Sequence, residues 1–299
     1  MSSAAIAPSP APHQAAYRTL QVSPVTTAIG GEIQGVDLSR PLGEEQFAEI
    51  RAALLERQVI FFHGQTLGPE QLIAFAQRFG DLQPASESSF ANNAAFPEID
   101  ILDFDGDRPP YNTKEMWHTD FSGRERPTQG SVLYAQEVPA TGGDTIWVSQ
   151  CAAYEALSAP MKQYLARLKA EHRTVKAFGD DIRSRLWKDE AGRKRWAQLQ
   201  ALPFVEHPVV RTHPVTGRKA LYINEGYTYR LLGVDRKESD AVLAYLFQHL
   251  VTPEFQVRFR WRRQSVAVWD NQVTLHYAVA DYAERRVMSR VTIQGDRPF

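Results

Sequence analysis

The stretch Trp117-His118-Thr119-Asp120-Phe121 sets an imidazole and a carboxylate two residues apart. In an extended strand alternate side chains share a face, so His118 and Asp120 point one way and Thr119 the other. A histidine and an acid converging from one face are two of the three protein ligands of a facial, non-haem Fe(II) site, which leaves the opposite metal positions open. The chain holds eight histidines, so such a tripeptide arises easily by chance. It carries weight only if the chain also supplies a third ligand, an anchor for an organic co-substrate and a scaffold to hold them.

The remaining histidines can be sorted by their surroundings. His13 lies in an Ala, Ser and Pro-rich tail, and His207 and His213 each precede a proline, as turn residues do. His249 closes a helix, where a cation favours the dipole. His63, His172 and His276 remain as candidates. On the segment Arg286–Ile293, Arg286, Met288, Arg290 and Thr292 share one face, and Val287, Ser289, Val291 and Ile293 the other. Two arginines on one face of an otherwise apolar strand are costly in a packed core unless each meets an anion. That anion is either a structural carboxylate or a ligand.

The elements that would hold these residues are mostly short strands. Strands are predicted at Tyr17–Val22, Glu32–Leu38, Val59–Phe62, Ile99–Phe104, Ser131–Ala135, Thr145–Val148, Lys219–Asn224, Phe255–Trp261, Ser265–Trp269 and Arg286–Ile293. Helical spacing of apolar residues predicts helices over Glu44–Arg57, after Pro69, after the Ser158 cap, and after Asp235, where Glu238 completes a capping box. Many strands with inserted helices and no βαβ rhythm predict a mainly β chain with a double-stranded β-helix core, a jelly roll of the cupin-like kind. Residues 1–16 are read as a disordered tail and 17–299 as a single domain. Periodicity fails over 83–116, read as a substrate-side loop, and 178–200 is densely charged, read as a solvated surface or a lid.

Composition narrows the partners. Lys+Arg 34 against Asp+Glu 35 leaves a net charge of −1, without the basic footprint of a nucleic-acid binder. Cys151 is the sole cysteine, so no intrachain disulfide can form. No apolar run approaches the roughly 18 residues of a membrane span, and no signal peptide is evident at the N-terminus. A soluble, cytoplasmic protein is expected.

These residues together resemble the TauD/TfdA family (taurine dioxygenase and 2,4-D dioxygenase-like enzymes). The resemblance rests on Trp117-His118-Thr119-Asp120, Gly142-Gly143-Asp144-Thr145, His207-Pro208-Val209-Val210-Arg211-Thr212-His213-Pro214, Gly217-Arg218-Lys219, Trp269-Asp270-Asn271, His276-Tyr277-Ala278-Val279 and the run from Arg286 to Arg290, in the family's order from about residue 17 onward. It implies an Fe(II)- and 2-oxoglutarate-dependent dioxygenase that uses O2, with His118, Asp120 and His276 on the metal. Thr145 and Arg286 would hold the distal carboxylate of 2-oxoglutarate, and Arg290 would face an anionic group on the substrate or help anchor the co-substrate. Phe121 is the expected aromatic contact to substrate. The partner is then a small organic anion, such as an aryloxyalkanoate, alkyl sulfate or sulfonate, and the protein a homo-oligomer, dimer or tetramer. Two departures bear on this. The loop from His276 to the arginines is about one residue short, so Arg285 competes with Arg286 for the anchor. Relatives that use taurine or alkyl sulfates carry a histidine soon after the Phe-Gly of the early helix, whereas Phe79-Gly80 here is followed by Asp81-Leu82-Gln83-Pro84-Ala85, so taurine is expected to be a poor substrate. The competing readings are a non-catalytic jelly-roll metal-binding module and a metal-dependent hydrolase, and O2 consumption separates them.

Overall fold

Period-two patterning sorts the apolar side chains of each strand onto two faces, and the fold uses both. The computed structural model describes residues 17–85, 91–92, 95–104, 116–174, 176 and 190–299. A nine-stranded sheet runs β1 (Gln21–Pro24), β2 (Gly31–Gln34), β3 (Val59–Phe62), β15 (Val266–Asp270), β7 (Gly130–Glu137), β17 (Arg286–Ile293), β6 (Ile99–Phe104) and β5 (Ala91–Asn92), with β4 (Leu82–Gln83) also paired to β17. A three-stranded sheet runs β14 (Gln256–Phe259), β8 (Thr145–Ser149) and β16 (Thr274–Ala278). These two sheets, mixed only at the parallel β2–β3 pair, close over each other as the expected double-stranded β-helix.

Three apolar layers follow from the alternation. On the outer face of the large sheet, Ile60, Phe62, Val266, Val268, Val291 and Ile293 pack against α1 (Glu44–Arg57) and α2 (Pro69–Gln77) through Ile50, Leu54, Leu72 and Phe75. Their neighbours in the same strands, Val59, Phe61, Ala267, Trp269 and Met288, face Trp147, Val257 and Phe259 of the small sheet. Burial of each such side chain contributes on the order of 2 kcal/mol, so a one-residue slip of any strand would forfeit its packing on both sides. A third layer behind the small sheet joins Val148 and Leu275 to α3 (Gln150–Glu155), α4 (Ala159–Leu165) and α6 (Arg236–Leu250). The register fixes Met288 inside, and with it Arg286 and Arg290.

The local signals for α6 and α4 act as predicted. Asp235 caps α6 reciprocally with Glu238, and the Ser158 hydroxyl accepts from the Met161 amide at the start of α4. The first two strands are displaced from the predicted spans. They pair as Gln21–Pro24 with Gly31–Gln34 around a turn in which Gly30 adopts φ +91. The expected tail lies outside the described residues, as does most of the charged 178–200 segment apart from α5 (Glu190–Ala201) and much of 83–116 outside β5 and β6. Among the described residues no helix is long and apolar enough to cross a membrane.

A small sheet of β10 (Val205–Pro208), β9 (Lys169–His172) and β13 (Thr228–Leu231) and the hairpin of β11 (Val210–Thr212) with β12 (Lys219–Leu221) complete the chain. Here the reading of His207 as a turn residue is corrected, whereas His213 does open the β11–β12 turn, its carbonyl accepting from the Gly217 amide at 2.9 Å. His207 is buried in β10, and its Nε2 lies 3.0 Å from the carbonyls of both Ser122 and Arg124. A following proline restricts the backbone of a residue but does not expose its side chain.

Burial lowers the His207 pKa from 6.5 to about 4. The native ring therefore stays neutral while the unfolded chain takes up a proton, so its stabilisation is complete above pH 6.5 and is lost as the pH falls toward 4. His172, also depressed by burial, has the same sign. Denaturation of the metal-free protein should show stability falling across this window, with His207 supplying up to about 3 kcal/mol of the loss. The His207→Gln variant should show a shallower acid limb, whereas parallel curves for the two proteins would refute the assignment.

Candidate metal centre

The two histidines are brought together by backbone. His118 donates its amide to the His276 carbonyl at 3.1 Å and accepts from the His276 amide at 2.9 Å, an isolated antiparallel bridge between the segment before the turn and strand β16. Residues exchanging both bonds stand directly opposite each other, and their rings lie 4.1 Å apart between centroids. The predicted strand at Trp117–Phe121 shrinks to this single bridge. The chain turns at Asp120, and Phe121 takes a left-handed φ of +55, so Asp120 reaches the site through a turn and not through strand alternation.

Asn271 holds that turn. Its Oδ1 accepts from the Asp120 amide at 3.0 Å, while its Nδ2 donates to the Asp120 carbonyl at 3.0 Å and to the Thr128 hydroxyl at 2.9 Å. Asp270 beside it meets His213 Nε2 at 2.9 Å, and Gln272 accepts from Arg211 at 2.6 Å. The Thr119 hydroxyl donates to the Thr274 carbonyl. Behind the ligands Gly226 packs tightly on the centre, since a Cβ there would lie 3.1 Å from His118 Cβ and push that ligand by a few tenths of an ångström. Asn271 and Gly226 were not legible as site residues; the Trp269-Asp270-Asn271 motif was a visible signal for Asn271 alone.

The side chains converge as a ligand set. One donor atom each of His118, Asp120 and His276 lies within 4.8 Å of the others, with His118 Nε2 3.6 Å and His276 Nε2 3.9 Å from the Asp120 oxygens. These separations exceed a hydrogen bond, and three donors spaced so closely are what one ion between them requires. The Nδ1 of His118 lies 2.8 Å from the Met116 carbonyl, which places the proton there and directs the Nε2 lone pair inward. Burial, then the neighbouring His118, lowers the His276 pKa to about 3, so it is the neutral imidazole a metal needs. Burial opposes ionisation of Asp120, but Arg290, His276 and His118 outweigh it and hold the carboxylate charged. The residues present fit Fe(II).

Beside the centre, Arg290 on β17 donates from Nη1 to Asp120 Oδ2 at 3.2 Å and from Nε and Nη2 to Asp100 Oδ2 at 3.2 and 3.0 Å. The Tyr227 hydroxyl sits among Asp120, Arg290 and the Phe121 backbone, kept protonated by burial. Arg286, four residues before Arg290, is 4% exposed and faces the Trp261 and Tyr282 rings at 6.0 and 5.9 Å. Trp261 Nε1 donates to the buried Thr145 hydroxyl at 2.9 Å. Gly142 and Gly143, both at positive φ, pass close to the loop after β16 and the start of β17: a Cβ on Gly142 would meet the Asp281 carbonyl oxygen at 2.8 Å, and one on Gly143 would meet Arg286 Cδ at 3.3 Å. Arg285 instead lies at the surface and pairs with Asp103 at 2.7 Å. Phe121 is half-buried beside the ligands, its ring covered by Arg124 at 4.2 Å.

A jelly roll that carries a buried His, Asp, His ligand set together with buried arginines on an inward strand face has the features of an Fe(II)- and 2-oxoglutarate-dependent dioxygenase. Comparison with known proteins agrees: the family described as taurine catabolism dioxygenase TauD, TfdA family matches residues 21–292. The chain belongs to this family. It is 35% identical over 304 residues to the alpha-ketoglutarate-dependent sulfate ester dioxygenase of Pseudomonas putida, covering 100% of this chain and 95% of that one. It is 31% identical over 291 residues to the alpha-ketoglutarate-dependent 2,4-dichlorophenoxyacetate dioxygenase of Cupriavidus pinatubonensis, covering 92% and 97%. A solved taurine dioxygenase from Burkholderia xenovorans superposes with a TM-score of 0.78 at 34% identity, over 94% of this chain and 93% of that one.

The Asn271 clamp is a test of this geometry. Asn271→Ala removes both bonds that fix the Asp120 backbone, and loss of such an outer partner typically weakens metal binding about 10- to 100-fold. Anaerobic Fe(II) titration of the folded variant should show that loss. Wild-type affinity would mean that the turn holds itself.

Proposed function

We propose that the enzyme hydroxylates a small organic anion at carbon, with sulfate esters, alkylsulfonates and aryloxyalkanoates as the substrate classes. Hydroxylation next to the ester, sulfonate or ether atom gives a product that falls apart, so oxidation amounts to cleavage. The observation that carries this reading is a pair of buried arginines on the inner face of β17, Arg286 and Arg290, of which Arg290 contacts the ligand Asp120. The two relatives above act, by name, on a sulfate ester and on 2,4-dichlorophenoxyacetate.

His118, Asp120 and His276 are assigned to Fe(II), which when bound couples activation of O2 and oxidative decarboxylation of 2-oxoglutarate to succinate and CO2 with oxidation of a C–H bond. Arg286 is assigned to the distal carboxylate of 2-oxoglutarate, for which its planar fork offers two charge-assisted bonds. Because Trp261 Nε1 can only donate, Thr145 Oγ accepts there, and its own proton remains to donate to the same carboxylate. Arg290 is assigned to the charged end of the substrate, in competition with the carboxylates already on it, and Phe121 to its apolar body. Residues 17–299 act as one unit, in the cytoplasm and as a homo-oligomer.

Losing one bidentate contact to a desolvated carboxylate costs about 2–5 kcal/mol. Arg286→Ala should therefore raise the 2-oxoglutarate concentration for half-maximal turnover by about 30-fold or more, while Arg285→Ala leaves it within about twofold. The reverse pattern would overturn the choice of anchor. Succinate release measured across alkyl sulfates, sulfonates and aryloxyalkanoates, each beside a neutral analogue, should be stimulated by the anions, with taurine among the weakest. Equal stimulation by the neutral partners would contradict the anionic substrate class.

A further inference from the structure

Arg290 and Asp100 are cross-strand partners on β17 and β6, and both point to the inner face, since Ile99 and Ile101 flanking Asp100 pack in the outer layer. The side chains of Arg290, Asp100 and Asp120 are 7%, 4% and 8% exposed. Two N–H groups of the guanidinium converge on one oxygen of Asp100 and a third reaches Asp120. Asp120 is assigned to the metal and meets its positive charge, so Asp100 is the carboxylate that offsets the buried Arg290 guanidinium. The Arg290–Asp100 ion pair is itself neutral, so Arg290 presents little net charge to an incoming anion.

The Asp100 carboxylate sits on the guanidinium at hydrogen-bond distance, so an anion reaching Arg290 meets both charges and the repulsion offsets much of the attraction. Asp100 also lies inside a ladder, with β17 on one side and β5 on the other. It cannot swing aside for a substrate as a loop residue would. The anionic head then gains less affinity at Arg290 than an uncompensated guanidinium would give, and the apolar part of the substrate must contribute a larger share. We propose that Asp100 is a specificity-determining residue: by cancelling the charge of Arg290 it turns the site away from compact, strongly hydrated anions and toward anions with a large apolar body. This rests on the anionic substrate class proposed above.

The test uses the full-length protein loaded with Mn(II) and 2-oxoglutarate, titrated with sodium sulfate at constant ionic strength, beside kcat/KM of the iron enzyme for a short and a long alkyl sulfate. Asp100→Asn keeps the shape and removes the charge. It should bind sulfate at least tenfold more tightly than wild type and lower the long-to-short kcat/KM ratio at least tenfold. Asp100→Glu should keep the wild-type ratio, and so should Asp103→Asn, which removes an equal charge from the exposed Arg285 pair. Asp100→Ser makes the same comparison if the Asn variant does not fold. Sulfate affinity equal in wild type and in the charge-removing variants would overturn the proposal. If no alkyl sulfate stimulates the wild type, the substrate reading fails separately, and the sulfate titration still decides the role of Asp100.

Discussion

The backbone bridge between His118 and His276 is the contact on which the centre depends. Two ligands far apart in sequence stand opposite each other because each amide is bonded to the other's carbonyl. Strand β16 is itself held by its full pairing with β8, so His276 sits on a rigid element and His118 inherits that rigidity. Asp120 has no ladder to hold it, and the side chain of Asn271 does what a neighbouring strand would otherwise do. The site is thus assembled from one strand, one bridge and one clamped turn, and all three converge at the short β15–β16 connection where the chain crosses between sheets.

Charge is arranged around that frame with little slack. Burial alone would favour a protonated Asp120, and Arg290 is the chief group that reverses the balance. Because β17 also carries Arg286, one strand supplies both inward guanidiniums, separated by Met288, which anchors the strand in the inner apolar layer. The packing that fixes Met288 therefore also aims the arginines. A register slip in β17 would cost the core and the chemistry together.

How much of this could be read from the chain depends on the range of each interaction. The strands Val59–Phe62, Ile99–Phe104 and Arg286–Ile293 and the helix Glu44–Arg57 have the predicted ends, because their patterns are long or sharply punctuated. The inner face of β17 was also legible, since two arginines among apolar residues have few tolerable environments. The turn at Asp120 was not, because a phenylalanine gives no local signal for a left-handed backbone and its cause, Asn271, is distant in sequence. His213 does sit in a turn as read, but its contact with Asp270 was not legible for a related reason: that partner is brought close only by the fold. The pairing of Arg290 with Asp100 needs the register of β6 against β17, which no single-strand pattern contains.

The central claim is that His118, Asp120 and His276 together hold one Fe(II), and anaerobic titration with Fe(II) followed by calorimetry addresses it most directly. The wild-type protein should bind one equivalent, and replacement of any one of the three by alanine should abolish tight binding while the circular dichroism of the fold is retained. Stoichiometric, tight binding that persists in a folded His276→Ala protein would contradict the account.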